Sequence, residues 1–211
     1  MKSGVTTLKL TRLRYLITIF CFLSCLITSL SIFAQGLGIG EWRYHMPLSN
    51  VRSIALAENQ NLVYAASDNA MFSYDLESKE IQRFNKVNGL SDVGIQRIDY
   101  ASVFNTLIIS YKNGNIDLLK GNTIVNISAL ERSPVSINKT INDVFIDDSL
   151  AYMCSSFGIV ALDVKNELIR ATYIIGNNGE QSNVRDLEIF EGFLWATTDE
   201  GLKRASLDAP N

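Results

Sequence analysis

The chain has 211 residues, of which 47% are hydrophobic and 9% aromatic, enough apolar material for a packed core in one or two domains. It carries 19 basic and 22 acidic residues; an N-terminal leader holds 4 of the basic ones and no acid, so without it 15 stand against 22, a net charge of −7. That excess of anions excludes a nucleic-acid binder, because phosphate recognition requires clustered cations.

The leader comprises Lys2, Lys9, Arg12 and Arg14, then an apolar run from Tyr15 to Phe33, then Ala34-Gln35. This is the order of a secretory signal, and residues 1–34 are expected to be removed by cleavage after Ala34. The apolar run is 19 residues long, which would also span a bilayer if it stayed uncut. A lipoprotein reading of Leu23-Ser24-Cys25 is disfavoured, because lipidation in mid-run would leave half the apolar stretch on the mature chain. Cys21 and Cys25 leave with the leader. Cys154 then stands alone inside an apolar strand pattern and reads as a small buried hydrophobe.

Residues 35–50 form an opening segment, in which the alternation of Trp42, Tyr44 and Met46 predicts a first strand that ends at Pro47. His45 is the sole histidine. Lacking a partner at metal spacing, it reads as an outward-facing strand residue.

A repeat fills residues 51–211. Its copies start at Val51, Ile95, Ile141 and Val184, each followed at the third and fifth residue by apolar side chains: Ile54 and Leu56, Ile98 and Tyr100, Val144 and Ile146, Leu187 and Ile189. A turn and a second strand follow, centred on Tyr64, Ile108, Tyr152 and Trp195. The first two copies carry two extra residues, placed in the turns at Glu58–Asn61 and Ser102–Asn105, where insertions belong. The next turn holds Ala70, Gly114, Gly158 and Gly201; glycine permits the positive φ of a hairpin, and Asn69 is expected to supply it in the first copy. Third strands carry Phe72 and Tyr74, Ile116 and Leu118, Val160 and Leu162. Lys203 and Ala205 stand there in the fourth copy, which predicts an exposed or incomplete edge. Fourth strands are predicted at Ile81–Phe84, Ile124–Ile127 and Ala171–Ile175, and the fourth copy has none before Asn211.

Four strands per repeat of this length predict an all-β fold of β-propeller blades, each a four-stranded antiparallel sheet. Helical repeats are disfavoured by the apolar spacing of two and the β-branched and aromatic content; a β-sandwich stays open as the alternative. The count is about three and a half blades, so the chain is expected to be an incomplete propeller: the first part of a longer one, or a truncated reading frame.

No catalytic constellation is present. One histidine and one mature cysteine allow no histidine-based triad, and no HExxH, GxSxG or Walker-type loop occurs. Asp147-Asp148 reads as a solvated turn, since calcium needs six or more spaced oxygens. No cofactor or metal is expected, and no site residue is nominated. Asn126-Ile127-Ser128 and Asn138-Lys139-Thr140 match an N-glycosylation pattern, and Asp148-Ser149-Leu150 resembles a bacterial O-glycosylation triplet. For ligand contact the candidates are the turns at Asn69, Asn113, Phe157 and Asp199, with the loops 85–92 and 176–183.

Asn88-Gly89-Leu90-Ser91-Asp92 leading into Val93–Ile98, and Phe193–Leu202, resemble the repeat of two-component-regulator propellers. Gly40–Pro47 with Asn50-Val51 resembles the opening of the N-terminal propeller of the PorZ family, from the type IX secretion system of Bacteroidetes. The resemblance implies an exported protein of the periplasm or outer cell surface. It implies a non-enzymatic binding or scaffold module in an attachment complex, with a PorU-like sortase, a PorV-like protein and anionic lipopolysaccharide as partners. No functional residue of the family maps onto this stretch. The rival reading is the periplasmic glycan-sensing propeller of a hybrid two-component regulator.

Overall fold

Short runs of alternating apolar residues, punctuated by tight turns, give fifteen strands among the residues described by the computed structural model, 50–136 and 138–207. The leader, the strand expected at 41–46 and His45 lie outside the described residues. Blade A comprises β1 (Ser53–Ala57), β2 (Leu62–Ala66), β3 (Ala70–Asp75) and β4 (Ile81–Asn85). Blade B comprises β5 (Ile95–Ala101), β6 (Thr106–Tyr111), β7 (Ile116–Lys120) and β8 (Thr123–Ile127). Blade C comprises β9 (Ile141–Asp147), β10 (Leu150–Ser155), β11 (Gly158–Asp163) and β12 (Leu168–Tyr173). Blade D comprises β13 (Val184–Phe190), β14 (Phe193–Thr198) and β15 (Gly201–Ser206). Every sheet is an antiparallel meander in chain order, three of four strands and the last of three.

Copies two to four of the repeat start on the first residues of β5, β9 and β13; β1 begins two residues after Val51. The extra residues of the first two copies form one-turn 3-10 helices, Glu58–Gln60 and Ser102–Phe104, closed by Asn61 and Asn105 in the left-handed region. Asparagine tolerates that conformation better than most side chains. Asn69, by contrast, is not among the residues of positive φ. The β2–β3 turn is closed instead by Ser67, whose N–H and hydroxyl both donate to the Ala70 carbonyl at 2.8 and 2.9 Å. β12 also begins three residues before the expected Ala171 and stops at Tyr173.

The blades stack through their sheet faces. The front of each packs on the back of the next in three apolar cores. Between A and B, Tyr64, Met71 and Phe84 meet Ile95, Ile98, Leu107 and Ile109. Ile108, Ile116 and Leu118 of B meet Ile141, Met153, Val160 and Leu162 of C in the second. The third sets Tyr152, Cys154, Ile159 and Ala161 of C against Val184, Leu187, Leu194 and Ala196 of D.

The start, third and fifth positions of the repeat all face back, which simple alternation would not allow. A bulge explains it: the ladder register shifts between Ile95 and Arg97, opposite Cys154/Ser155, and between Val184 and Asp186. One extra residue restores the start position to the face of the third and fifth. In blade B a longer turn after Tyr111 moves β7 by one residue. Ile116 and Leu118 therefore face front, whereas Phe72, Tyr74, Val160 and Leu162 face back.

The connections are pinned from inside. Leu90 before β5 and Leu130 on the short helix α1 (Ala129–Arg132) each bury in an inter-blade core. Beside Leu90, the Ser91 N–H donates to Oδ2 of the wholly buried Asp117 at 2.8 Å. The same carboxyl group accepts from the Tyr111 hydroxyl at 2.7 Å and from Asn126 Nδ2 at 2.8 Å, so a buried polar group is satisfied by three donors.

Two equivalent glycines give the first prediction. Gly158 and Gly201 occupy the same turn position and both have positive φ, +153° and +109°. A Cβ on Gly158 would stand 2.2 Å from the Tyr173 carbonyl oxygen, whereas nothing lies within 4 Å of one on Gly201. Gly201→Ala should cost about 1–2 kcal/mol of backbone strain. Gly158→Ala should cost at least twice as much, roughly 3 kcal/mol or more, as read from urea denaturation midpoints.

Candidate functional site

The innermost strands cannot share a backbone ladder across blade seams, so side chains bridge them. Ile98 N–H donates to Ser53 Oγ at 3.0 Å, joining A to B. Arg97 of β5 spans to C: Nε donates to Asp99 at 3.1 and 3.3 Å, Nη2 to Asp143 Oδ1 at 2.5 Å, and Nη1 to the Asn142 carbonyl at 3.4 Å. Asn142 Nδ2 continues to D, donating to Asn183 Oδ1 at 2.8 Å and the Val184 carbonyl at 2.6 Å. Ser53, Arg97, Asp143 and Asp186 are all second residues after a repeat start, and in B, C and D the bulge re-aims that position towards the seams.

Asp99 and Asp143 thus share one guanidinium, and Asp186 lies against Asp143. Burial pushes Asp99 up to about 7, against the pull of Arg97 and with a further push from the Asp143 charge. Burial also raises Asp143, opposed by Arg97 and reinforced by hydrogen bonding to, and repulsion from, Asp186. Cys154 lies beside this cluster, fully buried. Burial, then the charges of Asp143 and Asp186, push its thiol up to about 12, so it is no nucleophile near neutrality. Among the described residues no group of three or more His, Cys, Asp or Glu side chains is arranged to hold a metal ion.

The loop end of the sheets is built from paired charges. Asp68 accepts from Lys112 Nζ at 2.9 Å and lies 3.3 Å from Arg52 Nη2; its backbone carbonyl takes the N–H groups of Gly94 and Ile95, both at 2.7 Å. The hydrogen bond from Lys112 holds the Asp68 carboxyl below its usual range. Asp199 is held low likewise, by hydrogen bonds from Arg185 at 2.9 Å and Asn183 at 3.3 Å. Asn113 donates to Asp92 at 2.6 Å and to Glu131 at 3.3 Å.

The expected contact turns therefore separate. Asn69, Asn113 and Asp199 lie at the surface, with Asn113 and Asp199 committed to bonds between loops. Phe157 is a correction: it is wholly buried in the B–C core and cannot meet a ligand. Loop 85–92 is largely structural, with Asn85 and Leu90 buried. Loop 176–183 contains a 3-10 turn at Asn177–Gly179 and reaches blade B's exit through Gln181, which donates to the Val135 carbonyl. A cavity of about 250 Å³ opens between C and D beside β15, lined by Tyr152, Ile159, Tyr173, Ile175, Leu194 and Leu207. The charge cluster escaped sequence reasoning because its members are isolated polar residues in three repeats; aligning the second repeat positions brings together Arg97, Asp143 and Asp186, and Asp99 joins them two residues along β5.

Four-stranded meanders stacked front to back through their inner strands define a β-propeller domain. Residues 63–211 match the family described as the type IX secretion system (TSS9), PorZ, N-terminal β-propeller domain, and the chain belongs to that family. Among solved structures it is similar to PorZ of Porphyromonas gingivalis, a bacterial surface component of the type IX secretion system, at 26% identity and TM-score 0.67 over 75% of this chain and 21% of that one. It is also similar to the extracellular domain of a hybrid two-component system of B. thetaiotaomicron, at 18% identity and TM-score 0.62, over 81% of this chain and 22% of that one. A WD40 β-propeller domain aligns at 12% identity and TM-score 0.54, over 76% of this chain and 52% of that one, which reflects the fold alone. The chain thus spans about a fifth of the PorZ and two-component chains it resembles. No curated protein matches it in sequence.

The raised carboxyls predict an unusual pH dependence. Asp99 keeps a proton in the folded chain that the unfolded chain releases near pH 4, so its contribution is greatest below that value and is lost as pH rises through about 7. Asp68 and Asp199, lowered in the fold, contribute above pH 4 and lose that contribution as pH falls. The melting temperature should peak near pH 4 (about the crossover of these two limbs) and decline until pH reaches about 7. Asp99→Asn should flatten the alkaline decline and leave the acid limb in place.

Proposed function

We propose that the chain acts as a non-enzymatic binding and scaffold module of the type IX secretion attachment complex at the cell surface. The family match over residues 63–211 carries this reading. Similarity to an extracellular domain and a bacterial surface component supports an exported location, and among the described residues no helix is long and apolar enough to cross a membrane. In this reading residues 1–34 are a signal peptide cleaved after Ala34, residues 35–50 open the mature chain, and 51–211 are propeller blades starting near 51, 95, 141 and 184.

The chemistry of the surface fits protein contact better than catalysis. Its loop charges are neutralised in pairs, its thiol is buried, and its carboxyl cluster sits in a seam between inner strands. A PorU-like sortase and a PorV-like protein are the partners proposed, together with anionic lipopolysaccharide. Deleting the gene should release secreted cargo from the cell surface into the medium, measured by immunoblotting of cell and medium fractions. Unchanged attachment, with altered transcription in response to polysaccharide, would contradict this role and favour the glycan sensor.

A further inference from the structure

The seam between blades A and B is not filled along its whole length. Across the front of blade A the ladder sets Tyr64 beside Ser73, and Ser73 beside Gln82. The same row reads Ile108, Leu118 and Val125 in blade B, and Tyr152, Ala161 and Ala171 in blade C. Of these three blades, A alone follows its second-strand residue with polar side chains. The facing blade differs as well. Blade C turns from β11 to β12 through four residues, 164–167, and Val164 is wholly buried in the B–C core. Blade B turns from β7 to β8 through Gly121 and Asn122 alone, and nothing lies within 4 Å of a Cβ built on Gly121. A cavity of about 210 Å³ remains between this short turn and the polar row.

Two hydroxyls open on the cavity from its floor. Tyr64 and Ser73 line it and are each 5% exposed, yet neither hydroxyl has a hydrogen-bond partner among the described residues. A buried polar group without a partner in the chain calls for one from outside it. The carboxamides of Gln60, Gln82 and Asn122 surround the opening. At one end of the mouth the Asp75 N–H donates to the Glu80 carbonyl at 3.0 Å, which sets the two acidic side chains next to each other. The N–H groups of Ser78 and Glu77 donate to Asp75 Oδ1 at 2.9 and 2.8 Å and hold its carboxyl below the usual range, with Oδ2 left to accept from a ligand. Leu62 and Phe84 supply apolar wall.

We propose that this cavity binds a single neutral sugar residue. Sugar hydroxyls donate and accept at once, which is what hydroxyls, carboxamides and a free carboxylate oxygen together require. The C–H face of the ring packs on Leu62 and Phe84. The floor carries no charge, and Asp75 and Glu80 at the mouth disfavour an anion. The volume is below the ~300 Å³ at which drug-sized pockets begin, so it suits one ring. A second hollow of about 300 Å³ shares Gln82, Phe84 and Asn122 with it and lets a linked residue continue past Asn88 and Ile124. The site lies at the end of β2 and β3 away from the turn at Asn69. It rests on the A–B seam alone, whatever the role of the chain in secretion.

The test is saturation-transfer NMR on the full-length chain, kept in a detergent without a sugar headgroup. Glucose, galactose, mannose and N-acetylglucosamine are the probes, each beside its methyl glycoside and its uronate. At least one neutral sugar should receive saturation, and its uronate should bind roughly tenfold more weakly or worse. A methyl glycoside that binds equally well marks the ligand as a residue linked in a chain, and one that fails marks it as a free sugar; both results uphold the site. Ser73→Leu combined with Gln82→Val gives blade A the row of blade B, fills the cavity and should abolish the signal. If circular dichroism shows that variant unfolded, Gln82→Trp at the exposed mouth takes its place. Absence of binding by every neutral sugar, equal binding of the uronate, or an undiminished signal from the filled variant would overturn the proposal.

Discussion

The structure depends on the contact between the second strand of one blade and the inner strand of the next. A four-stranded twisted sheet with two apolar faces cannot bury either alone, so each blade is completed by its neighbours. Tyr64 stacks on Tyr100 with ring centroids 6.3 Å apart and closes over Ile98. Ile108 does the same against Val144 and Ile146, and Tyr152 against Leu187 and Ile189. The linkers add to these seams: Leu90 and Leu130 bury where the chain crosses from one blade to the next.

Polar groups then set the register. The bulge in β5 turns Arg97 towards the neighbouring inner strand, and Ser53 of unbulged β1 and Asn142 next to the start of β9 carry hydrogen bonds across the other two seams. The A–B seam rests on a neutral hydroxyl. In the B–C seam Asp99 and Asp143 share one guanidinium, and Asp143 meets Asp186 of blade D, which couples blade packing to protonation. At the outer end, Asp117 fixes the Leu90-Ser91 connection by accepting from a backbone N–H, a phenol and an amide at once.

Much of this was legible in the sequence because it repeats. The starts at Ile95, Ile141 and Val184, the inserted turns closed by Asn61 and Asn105, and the weak last strand of blade D all follow from aligning copies. What local pattern could not show was set by single-residue geometry. A bulge consumes one residue without a compositional mark, and the longer turn after Tyr111 reversed the facing of Ile116 and Leu118 relative to Phe72 and Tyr74. Phe157 was read as a turn residue, yet its ring turns inward and fills the B–C core. The glycosylation patterns meet mixed surroundings: Asn126, Asn138 and Asp148 are all exposed, but the Asn126 amide is already bonded to Asn115 and Asp117. The family's function is carried by the match over residues 63–211, since no constellation of the described side chains announces it.

The account rests on the claim that stability passes from blade to blade through these seams. Hydrogen–deuterium exchange of a Tyr152→Ala chain tests this most directly, because the substitution empties the C–D seam and leaves the others intact. The account predicts faster exchange throughout β13 and β14, with β2, β3 and β6 unchanged. A uniform rise across all four blades, or no change in blade D, would contradict it.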